Sequence, residues 1–312
     1  MKAKMKQRKI SFLIAAHNEE KIIAKTLDNL LRLPYKDYEV LIGLDGCTDR
    51  TVEIVRDFCM ENKKFKYYIM NLRQGKNAVI NSIIKKAKGE IIIINDADWI
   101  FKTKDRESLE KFIALFDNPK MGGISESLPL EWEEDIMKNS NLGYRMVAYS
   151  SYLWYKFQKK KFAERRKGLL YVKEPALFIT NIFRKKLYKE NTSLSDDFER
   201  TKDIISQDYD VVISEERYNP KMAPVYNEVS IRDLFKQKIR TARAREQIKD
   251  EHNIKEKYYL SAILYILKNS WKLGINVGFM MIFWIFLTGI ATIYSNMKKF
   301  NTKEGWTLRV KR

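Results

Sequence analysis

Residues 91–98 read IIIINDAD, four isoleucines followed by an asparagine and by two aspartates that one alanine separates. An apolar run of this length predicts a strand buried on both faces, and Asp96 and Asp98 stand where that strand ends. Carboxylates two residues apart at a strand end suit a hard cation that is shared with substrate phosphates. A solvated loop that merely caps the strand is the alternative interpretation.

The residues before this stretch alternate between strand-length apolar runs and helical patterns. Four strands are predicted, at Ile10–Ala16, Val40–Leu44, Tyr67–Met70 and Ile91–Ile94. Three helices are predicted between them, at Glu20–Leu33, Asp49–Glu61 and Gly75–Ala87. This alternation predicts βαβ units, and hence an α/β fold with a mostly parallel central sheet covered on both faces.

Polar clusters follow three of these predicted strands. They are His17-Asn18-Glu19, Asp45-Gly46 and Asp96-Ala97-Asp98. Ligands bind such sheets at the carboxyl ends of the strands, whereas scattered loop residues would not need to share one edge. The coincidence therefore predicts a ligand site. Asp45 is the candidate partner for the N–H of a base, and Thr48 or Asp49 is expected to cap the next helix.

Two further stretches place charge at predicted helix starts. Arg73-Gln74-Gly75-Lys76 combines a glycine that permits close backbone approach with basic residues that suit phosphate, although an ordinary basic turn is equally compatible. It lacks the Walker A spacing, which disfavours a P-loop ATPase. Ser195-Asp196-Asp197-Phe198-Glu199 contains a capping box, and the local sequence favours that interpretation over a general base near a ligand site.

The central part of the chain gives weaker patterns. A helix is predicted at Ser108–Phe116, and short strands are predicted at Gly122–Leu128, Val211–Ser214 and Val225–Val229. Tyr144–Lys167 mixes aromatic and basic residues, which is typical of a helix at a membrane interface, on an acceptor or on an ordinary protein surface. Arg232–Lys249 predicts a basic helix on which Gln237 and Arg240, three residues apart, share a face.

Composition narrows the function classes. The 312 residues are 45% hydrophobic, which excludes global disorder, and they carry a net charge of +19. Such a surplus indicates an anionic partner: nucleic acid, an anionic membrane surface or a phosphorylated substrate. Two histidines and two cysteines provide neither a histidine-rich metal site nor a disulfide framework.

One segment, Leu273–Ser295, contains 23 residues without a charge, a length that crosses a bilayer. We expect a single-pass C-terminal anchor with the α/β domain in the cytoplasm, because the N-terminus lacks the pattern of a signal peptide. Basic residues flank the segment on both sides, which conflicts with placing the tail outside. A hairpin with Tyr258–Trp271 is the alternative, although that shorter segment fits an interfacial helix better.

Taken in order, five stretches resemble the large inverting glycosyltransferase family two, which includes cellulose, chitin and hyaluronan synthases and dolichol-phosphate mannosyltransferases. They are SFLIAAHNEE, VLIGLDGCTDRT, RQGKNAVINSIIKKAKGEIIIINDAD, LSDDFER and KQKIRTARA, and they lie between residues 10 and 247. The resemblance implies a nucleotide-binding α/β domain of the GT-A type. It also implies a nucleotide-sugar donor, UDP-linked, and Mg²⁺ or Mn²⁺ as the cofactor.

The resemblance implies roles for individual residues on the donor side. Ala15 and Glu19 resemble positions that line the nucleotide, and Asp45 resembles the residue that binds the uracil ring. Lys76 lies in the stretch that approaches the donor. These four positions would together bind a nucleotide sugar, with the base at Asp45 and the phosphates towards Lys76.

The remaining roles concern the metal, the chemistry and the acceptor. Asp96 and Asp98 resemble the pair that binds the metal and the sugar diphosphate, with Asp98 as the main metal ligand. Asp197 falls on the position of the catalytic base. Gln237 and Arg240 resemble the element that binds the diphosphate end and borders the acceptor channel.

Two departures from the family pattern favour a single sugar addition. Thr241 stands where the family motif has tryptophan, and one predicted transmembrane segment stands in place of the several that polymerising synthases carry. We therefore expect a polyprenyl-linked or cell-surface glycan acceptor, with a processive polysaccharide synthase subunit as the alternative. A sugar-phosphate nucleotidyltransferase is disfavoured because AAHNEE has no glycine-rich loop. A non-catalytic basic membrane-binding module would leave the clustered acids unexplained.

These inferences together predict the organisation of the chain. Residues 1–250 are expected to form the glycosyltransferase domain, and residues 251–272 an amphipathic interfacial segment. Residues 273–295 are expected to form a transmembrane helix and residues 296–312 a basic tail. The expected partners are the nucleotide sugar, the glycan or polyprenyl-linked acceptor and membrane lipid, with no nucleic acid.

Overall fold

The computed structural model describes residues 7–125, 137, 139–173, 179–190, 196–215, 220–252 and 257–297, with the side chains of residues 196–198, 244–252 and 257–258 excepted. The chain divides into two compact units. The first comprises Met1–Glu131 and Ala163–Val225, and the second comprises Trp132–Phe162 and Tyr226–Arg312. The functional division predicted at residues 250, 272 and 295 stays a prediction.

Within the described residues, all strands belong to the first unit. They are β1 Ile10–Ala16, β2 Tyr38–Asp45, β3 Phe65–Met70, β4 Ile91–Ile94, β5 Trp99–Lys102, β6 Met121–Ser125, β7 Ala163–Arg166, β8 Leu169–Val172, β9 Thr180–Arg184, β10 Asp210–Ile213 and β11 Lys221–Pro224. Nine of these described strands form one sheet in the order β3-β2-β1-β4-β9-β6-β10-β8-β7, and β11 pairs with β5.

The half of the sheet made by β3, β2, β1 and β4 is parallel. Between consecutive strands a helix returns the chain to the edge of the sheet where the strands begin. These helices are α1 Ile23–Leu31, α2 Thr51–Glu61 and α3 Lys76–Ile84. Every residue of β2 and β4 is buried, as expected of strands covered on both faces. The predicted α/β class with a mostly parallel central sheet is therefore confirmed, with element bounds that differ by a few residues.

The other half of the sheet contains antiparallel pairs that the sequence did not predict. Strand β9 lies between β4 and β6 and runs antiparallel to both. Arg184 at the end of β9 is buried, and its guanidinium donates to Glu90 at 2.9 Å and to the carbonyl of Met121 at 2.7 Å. Helix α4, Arg106–Ile113, precedes β6, and helix α6, Asp196–Ser206, packs on β6, β9 and β10.

The predicted helix Tyr144–Lys167 is wrong at its C-terminal end. Helix α5 covers Leu142–Phe162, and the residues after it form β7, which pairs antiparallel with β8. Lys167 and Gly168 between these strands have φ values of 46° and 78°, and two residues with positive φ are typical of a tight hairpin turn. The helix therefore ends at Phe162, and residues 163–172 form a β-hairpin instead.

The predicted strand Val225–Val229 is also wrong, because the strand is β11 and ends at Pro224. In the antiparallel pairing with β5, Pro224 lies opposite Trp99. The N–H of Val225 then donates to the carbonyl of Asp98 at 2.9 Å. The paired segment therefore ends beside the acidic loop. Of the predicted strand 122–128, residues 126–128 lie outside the described part.

The second unit is helical in its described part. Its long helices are α5, α7 Ile231–His252, α8 Lys257–Ser270 and α9 Ile275–Met297, and a 3-10 turn at Trp271–Leu273 joins the last two. They share a core that contains Tyr144, Leu153, Leu234, Ile266 and Met281. Among the described helices, α9 is the one that is long and apolar enough to cross a membrane, and it corresponds to the segment predicted from the sequence.

Candidate active site

The strand order brings the predicted polar clusters to one edge of the sheet. Strand β1 lies between β2 and β4 and runs parallel to both, with Ala16 beside Leu44 and Leu13 beside Ile94. The strand order reverses at β1, because β2 and β3 lie on one side of it and β4 on the other. Such a reversal opens a crevice at the carboxyl ends of the strands, which is the usual ligand position in open α/β sheets.

The loops after β1 and β2 are joined by side-chain hydrogen bonds. Asn18, whose φ is 54°, accepts a bond from the N–H of Thr48 at 2.8 Å and donates to the Thr48 hydroxyl at 3.0 Å. Nδ1 of His17 lies 2.5 Å from the carbonyl oxygen of Asp45. His17 is thus a hydrogen-bonded loop residue, and the two loops form one wall of the crevice.

Ala15 and Glu19, both implied to line the nucleotide, differ in exposure. Ala15 is partly exposed near the end of β1, whereas Glu19 is buried and its N–H donates to the Thr51 hydroxyl at 2.8 Å. Asp49 accepts bonds from the N–H of Thr51 at 3.0 Å and from the N–H of Glu20 at 3.2 Å, which satisfies the start of α2. Burial raises the pKa of Asp49, but these hydrogen bonds outweigh it and hold the pKa below its ordinary value.

Asp45, at the end of β2, binds the turn that precedes α3. Its side chain is buried, with Oδ1 accepting the N–H of Gln74 at 2.6 Å and Oδ2 accepting the N–H of Gly75 at 2.9 Å. Gly75 has φ 95° and ψ 158°, a conformation that only glycine adopts without strain. A Cβ at Gly46 would lie 2.6 Å from the backbone nitrogen of Arg73, so glycine permits the close approach of the two loops. This structural role of Asp45 was not predicted.

Lys76 connects this turn to the acidic loop after β4. It is the first residue of α3, and its Nζ lies 2.9 Å from Oδ1 of Asp96. The side chain of Lys76 is 13% exposed and that of Asp96 is 39% exposed, so the lysine is the more enclosed partner. Backbone N–H groups at a helix N-terminus also favour phosphate. The crevice thus combines a cationic side chain, a helix N-terminus and carboxylates, which suits a metal-bound diphosphate.

The acidic loop is held by residues that the sequence analysis missed. Asp98 is only 1% exposed. Asn95 donates through Nδ2 to the carbonyl of Trp99 at 2.8 Å, and the hydroxyl of Thr26 donates to the carbonyl of Ala97 at 2.6 Å. Asn95 follows a buried strand directly, which was a usable signal in the sequence. Thr26 lies in the middle of α1, where no sequence pattern indicates its contact with the loop.

The two carboxylates of this loop fit a divalent cation of the magnesium or manganese type. Such a cation prefers oxygen ligands and fills its shell with water and substrate phosphates, so one or two carboxylates suffice. Among the described residues, no group of three or more acidic, histidine or cysteine side chains could hold a metal alone. A buried carboxylate such as Asp98 is stabilised by cations or hydrogen bonds. The residues present therefore suit a cation that binds together with a diphosphate.

Asp197 lies in the first turn of α6, which begins at Asp196, and the side chains of both acids lie outside the described part. The next residues set the position of the helix. Arg200 donates to the carbonyl of Thr180 at 2.8 Å, and the hydroxyls of Thr180 and Thr201 lie 2.7 Å apart. Thr180 begins β9, which runs antiparallel to β4, so α6 begins at the edge of the sheet where β4 ends.

Gln237 and Arg240 lie on α7, in the second unit. Both side chains are partly buried, and the carbonyl of Gln237 accepts a bond from the Thr241 hydroxyl at 2.9 Å. Threonine that bonds back to the preceding turn of its own helix is an ordinary helical arrangement. The contact of Gln237 and Arg240 with a diphosphate, which the family resemblance implies, stays a prediction.

The two cysteines do not offer a reactive thiolate. Burial raises the pKa of the Cys47 thiol and raises that of Cys59 to about 11. The thiolate is the nucleophile and the metal ligand, so a raised pKa makes both residues inert near neutral pH. Neither thiol is therefore a candidate nucleophile or metal ligand for the crevice.

Comparison with known proteins places these features in a family. The model of Glycosyl transferase family 2 matches residues 11–185. Poly-beta-1,6-N-acetyl-D-glucosamine synthase of Staphylococcus epidermidis is 36% identical over 117 residues, which cover 37% of this chain and 27% of the relative. Beta-monoglucosyldiacylglycerol synthase of Nostoc sp. is 34% identical over 119 residues, which cover 37% of this chain and 25% of the relative. The chain thus matches about a quarter of the length of these curated relatives.

A solved structure shares the fold over nearly the whole chain. A mannosyltransferase from Pyrobaculum calidifontis, in complex with GDP-Man and Mn2+, aligns with a TM-score of 0.55 and 18% identity over 97% of this chain and 84% of that chain. This likeness concerns the fold and confirms the predicted GT-A architecture. The family model covers more than half of the 312 residues, including all of β1 except Ile10, β2 to β4 and the acidic loop. The chain therefore belongs to glycosyl transferase family 2.

Proposed function

We propose that this protein is a metal-dependent inverting glycosyltransferase that transfers a sugar from a UDP-sugar to a polyprenyl-linked or cell-surface glycan acceptor. Family membership supports the reaction class. The observation that carries the proposal is the ion pair of Lys76 and Asp96, 2.9 Å apart at the carboxyl edge of the sheet. This ion pair supports the proposal because an ammonium group suits phosphate and a carboxylate suits a divalent cation.

The donor is proposed to lie along the carboxyl edge of the parallel strands. Ala15, Glu19 and Asp45 surround the nucleoside, and a second lone pair on the Asp45 carboxylate accepts the N–H of the base. Lys76 and the N-terminus of α3 bind the diphosphate. The sugar then lies towards the acidic loop after β4, which is where the reacting carbon has to be.

The reacting groups are proposed to act in a single displacement. The acceptor hydroxyl attacks the anomeric carbon opposite the diphosphate, so a new C–O bond forms as the bond to the diphosphate breaks and the configuration inverts. The carboxylate of Asp197 takes the hydroxyl proton. Lys76 stabilises the negative charge on the departing nucleoside diphosphate. Asp98 and Asp96 would hold a divalent cation, which would supply Lewis-acid stabilisation of the same charge.

The acceptor and the location are inferred from the rest of the chain. Thr241, in place of the family's tryptophan, supports addition of one sugar rather than processive synthesis. Gln237 and Arg240 are proposed to bind the diphosphate end and to border the acceptor. The apolar helix α9 supports attachment to a membrane, with the catalytic unit in the cytoplasm, where nucleotide sugars are made. The sequence by itself predicts that this attachment is a single crossing.

Thermal stabilisation of the detergent-purified full chain tests the donor. A ligand that binds only the folded state raises the melting temperature by mass action. UDP-glucose or UDP-N-acetylglucosamine with Mn²⁺ should raise it, and EDTA should remove most of the effect. Stabilisation by GDP-mannose alone would refute the uracil assignment. If no nucleotide sugar stabilises the protein or is hydrolysed by it, the non-catalytic membrane-binding alternative is favoured.

A further inference from the structure

Helix α9 has two different faces. One face, with Val277, Met281, Trp284 and Ala291, is buried within the second unit. On the opposite face, residues three or four positions apart are exposed, namely Ile275, Phe279, Ile282, Phe286, Ile290, Ile293 and Met297. Residues at this spacing lie one above the other along a helix. We call these seven residues the apolar stripe.

Exposed apolar surface is concentrated around this helix. Thirteen of the twenty exposed large hydrophobic residues in the described part lie between positions 260 and 297. Phe279 and Phe286 are each 62% exposed, and α8 adds Leu260 and Leu264, one turn apart and nearly as exposed. A continuous apolar surface of this kind marks contact with a partner or a membrane rather than with water.

The buried face of α9 packs against a charged helix. Half of the 22 residues of α7 are Lys, Arg, Asp or Glu. Nζ of Lys238 lies 4.2 Å from the centre of the Trp284 ring, and Nε of Arg243 donates to the Ser295 hydroxyl at 3.2 Å. Trp284 and Ser295, the two α9 residues in these contacts, lie about 16 Å apart along the helix axis, at 1.5 Å per residue. Charged side chains therefore accompany α9 through much of its length.

This packing conflicts with a membrane crossing. Trp284 lies near the middle of α9, so a crossing would place the ammonium group of Lys238 near the centre of the bilayer. The hydrocarbon core is about 30 Å thick, and a charged side chain at its centre is strongly unfavourable. Arg243, which contacts Ser295 near the C-terminal end of α9, would lie close to the edge of the hydrocarbon core instead of near its centre. A surface position of α9 leaves all of these charges in water or among lipid headgroups.

The charges beyond the two ends of α9 give an independent reason. Lys268 and Lys272 precede the helix and are exposed, and Lys298 and Lys299 follow it in the sequence. A crossing would put one basic pair on each side of the membrane, against the preference of basic residues for the cytoplasmic side. A helix that lies along the surface keeps both pairs on that side, next to anionic headgroups.

We propose that α9 does not cross the bilayer but lies along its cytoplasmic surface. The apolar stripe enters the boundary between headgroups and acyl chains, and the basic residues at both ends bind anionic headgroups. The segment is apolar all round because one face packs on protein and the other contacts lipid. The proposal rests on the membrane attachment in the proposed function, and it is independent of the chemistry of the crevice.

Cysteine accessibility tests whether both ends of α9 lie on one side. In the full chain with Cys47→Ser and Cys59→Ser, single cysteines are introduced as Asn276→Cys or Asn296→Cys, at exposed positions near the two ends. A membrane-impermeant maleimide is added to bacterial spheroplasts and to inverted membrane vesicles. We expect both variants to be labelled in inverted vesicles and neither in spheroplasts. Labelling of either variant from outside the spheroplasts overturns the proposal.

Vesicle binding tests the apolar stripe itself. Phe279→Glu combined with Phe286→Glu should weaken cosedimentation with vesicles of phosphatidylcholine and phosphatidylglycerol by about tenfold or more, because two rings lose their lipid contact. Met60→Glu alters a residue of the first unit that is 77% exposed and should bind like wild type. Equal binding by the double variant, or no binding by wild type, overturns the proposal. Neither outcome affects hydrolysis of nucleotide sugar in detergent, which tests the proposed reaction separately.

Discussion

Lys76 and Asp96 form an ion pair across the candidate crevice, with Nζ of the lysine 2.9 Å from Oδ1 of the aspartate. The pair joins the N-terminus of α3 to the loop after β4. If Asp96 holds a divalent cation as proposed, that cation has to compete with the lysine ammonium for the same carboxylate. Metal binding at Asp96 is therefore expected to strengthen when a diphosphate draws the ammonium away, which couples donor binding to metal binding.

Replacing Lys76 tests this coupling. Lys76→Met should tighten the binding of Mn²⁺ in the absence of donor, because Asp96 loses its competing cation. It should also weaken nucleotide-sugar binding by about tenfold, since a charged hydrogen bond to phosphate is lost. Titration calorimetry measures both affinities. Lys85→Met removes an exposed pair with Glu190 and serves as the control, and identical affinities in both variants would refute the coupling.

Asp98 is expected to carry most of the metal dependence. Asp98→Asn keeps the size of a side chain that is 1% exposed, but it removes the negative charge that a cation needs. Mn²⁺-dependent donor binding should fall to near the detection limit of calorimetry, while the circular dichroism spectrum should stay native. Asp28→Asn, at an exposed pair with Arg32, is the control. Wild-type metal and donor affinity in Asp98→Asn would show that the assignment is wrong.

Asp197 is expected to act as the general base and Asp196 mainly to support the helix start. Asp197→Asn should lower turnover by about 10²–10⁴ while donor affinity stays unchanged. Asp196→Asn should cost little stability, because asparagine also caps helices well. Single-turnover kinetics and thermal unfolding separate the two effects. Inactive Asp196→Asn together with active Asp197→Asn would shift the assignment by one residue.

Gly75 is expected to be needed for donor binding as well as for stability. Gly75→Ala forces φ 95° and ψ 158° on a residue with a Cβ, at a cost of about 1–3 kcal/mol, and it displaces the turn that leads into Lys76. Gly168→Ala is the control. Gly168 also has a positive φ, 78°, but nothing lies within 4 Å of the Cβ that this substitution adds. Both variants should melt earlier, and only Gly75→Ala should weaken donor binding. Equal donor affinity in the two variants would contradict the role of this turn.

Cys59 is expected to react slowly in the folded protein. Burial raises its pKa to about 11, whereas an unfolded cysteine has a pKa near 8.5 and reacts as the thiolate. Alkylation by iodoacetamide at pH 8 should therefore be about a hundredfold slower without urea than with it. The stabilisation that comes from the neutral thiol is present below the unfolded pKa and is lost as the pH rises through the folded pKa. Equal rates measured by mass spectrometry would contradict the burial of Cys59.

The sequence alone determined the parallel half of the sheet and the position of its acidic loop. Uniformly apolar runs such as Ile91–Ile94, alternating with helical patterns, identify strands covered on both faces. Parallel connections then bring the carboxyl ends to one edge, so Asp45, Asp96 and Asp98 were predictable at the same edge of the sheet. These conclusions depend on local periodicity and on chain connectivity, both of which are present in the order of the residues.

Which of these side chains touch, and what covers α9, depends on the packing of the folded chain. The contacts of Lys76 with Asp96, of Asp45 with Gly75 and of Thr26 with Ala97 join residues far apart in the chain. Pairings of this kind depend on the packing of loops and leave no local pattern. The segment of α9 is apolar on every side, so its sequence could not tell a face buried on protein from a face open to lipid. That difference arises only when α7, with Lys238 and Arg243, packs along one side of it.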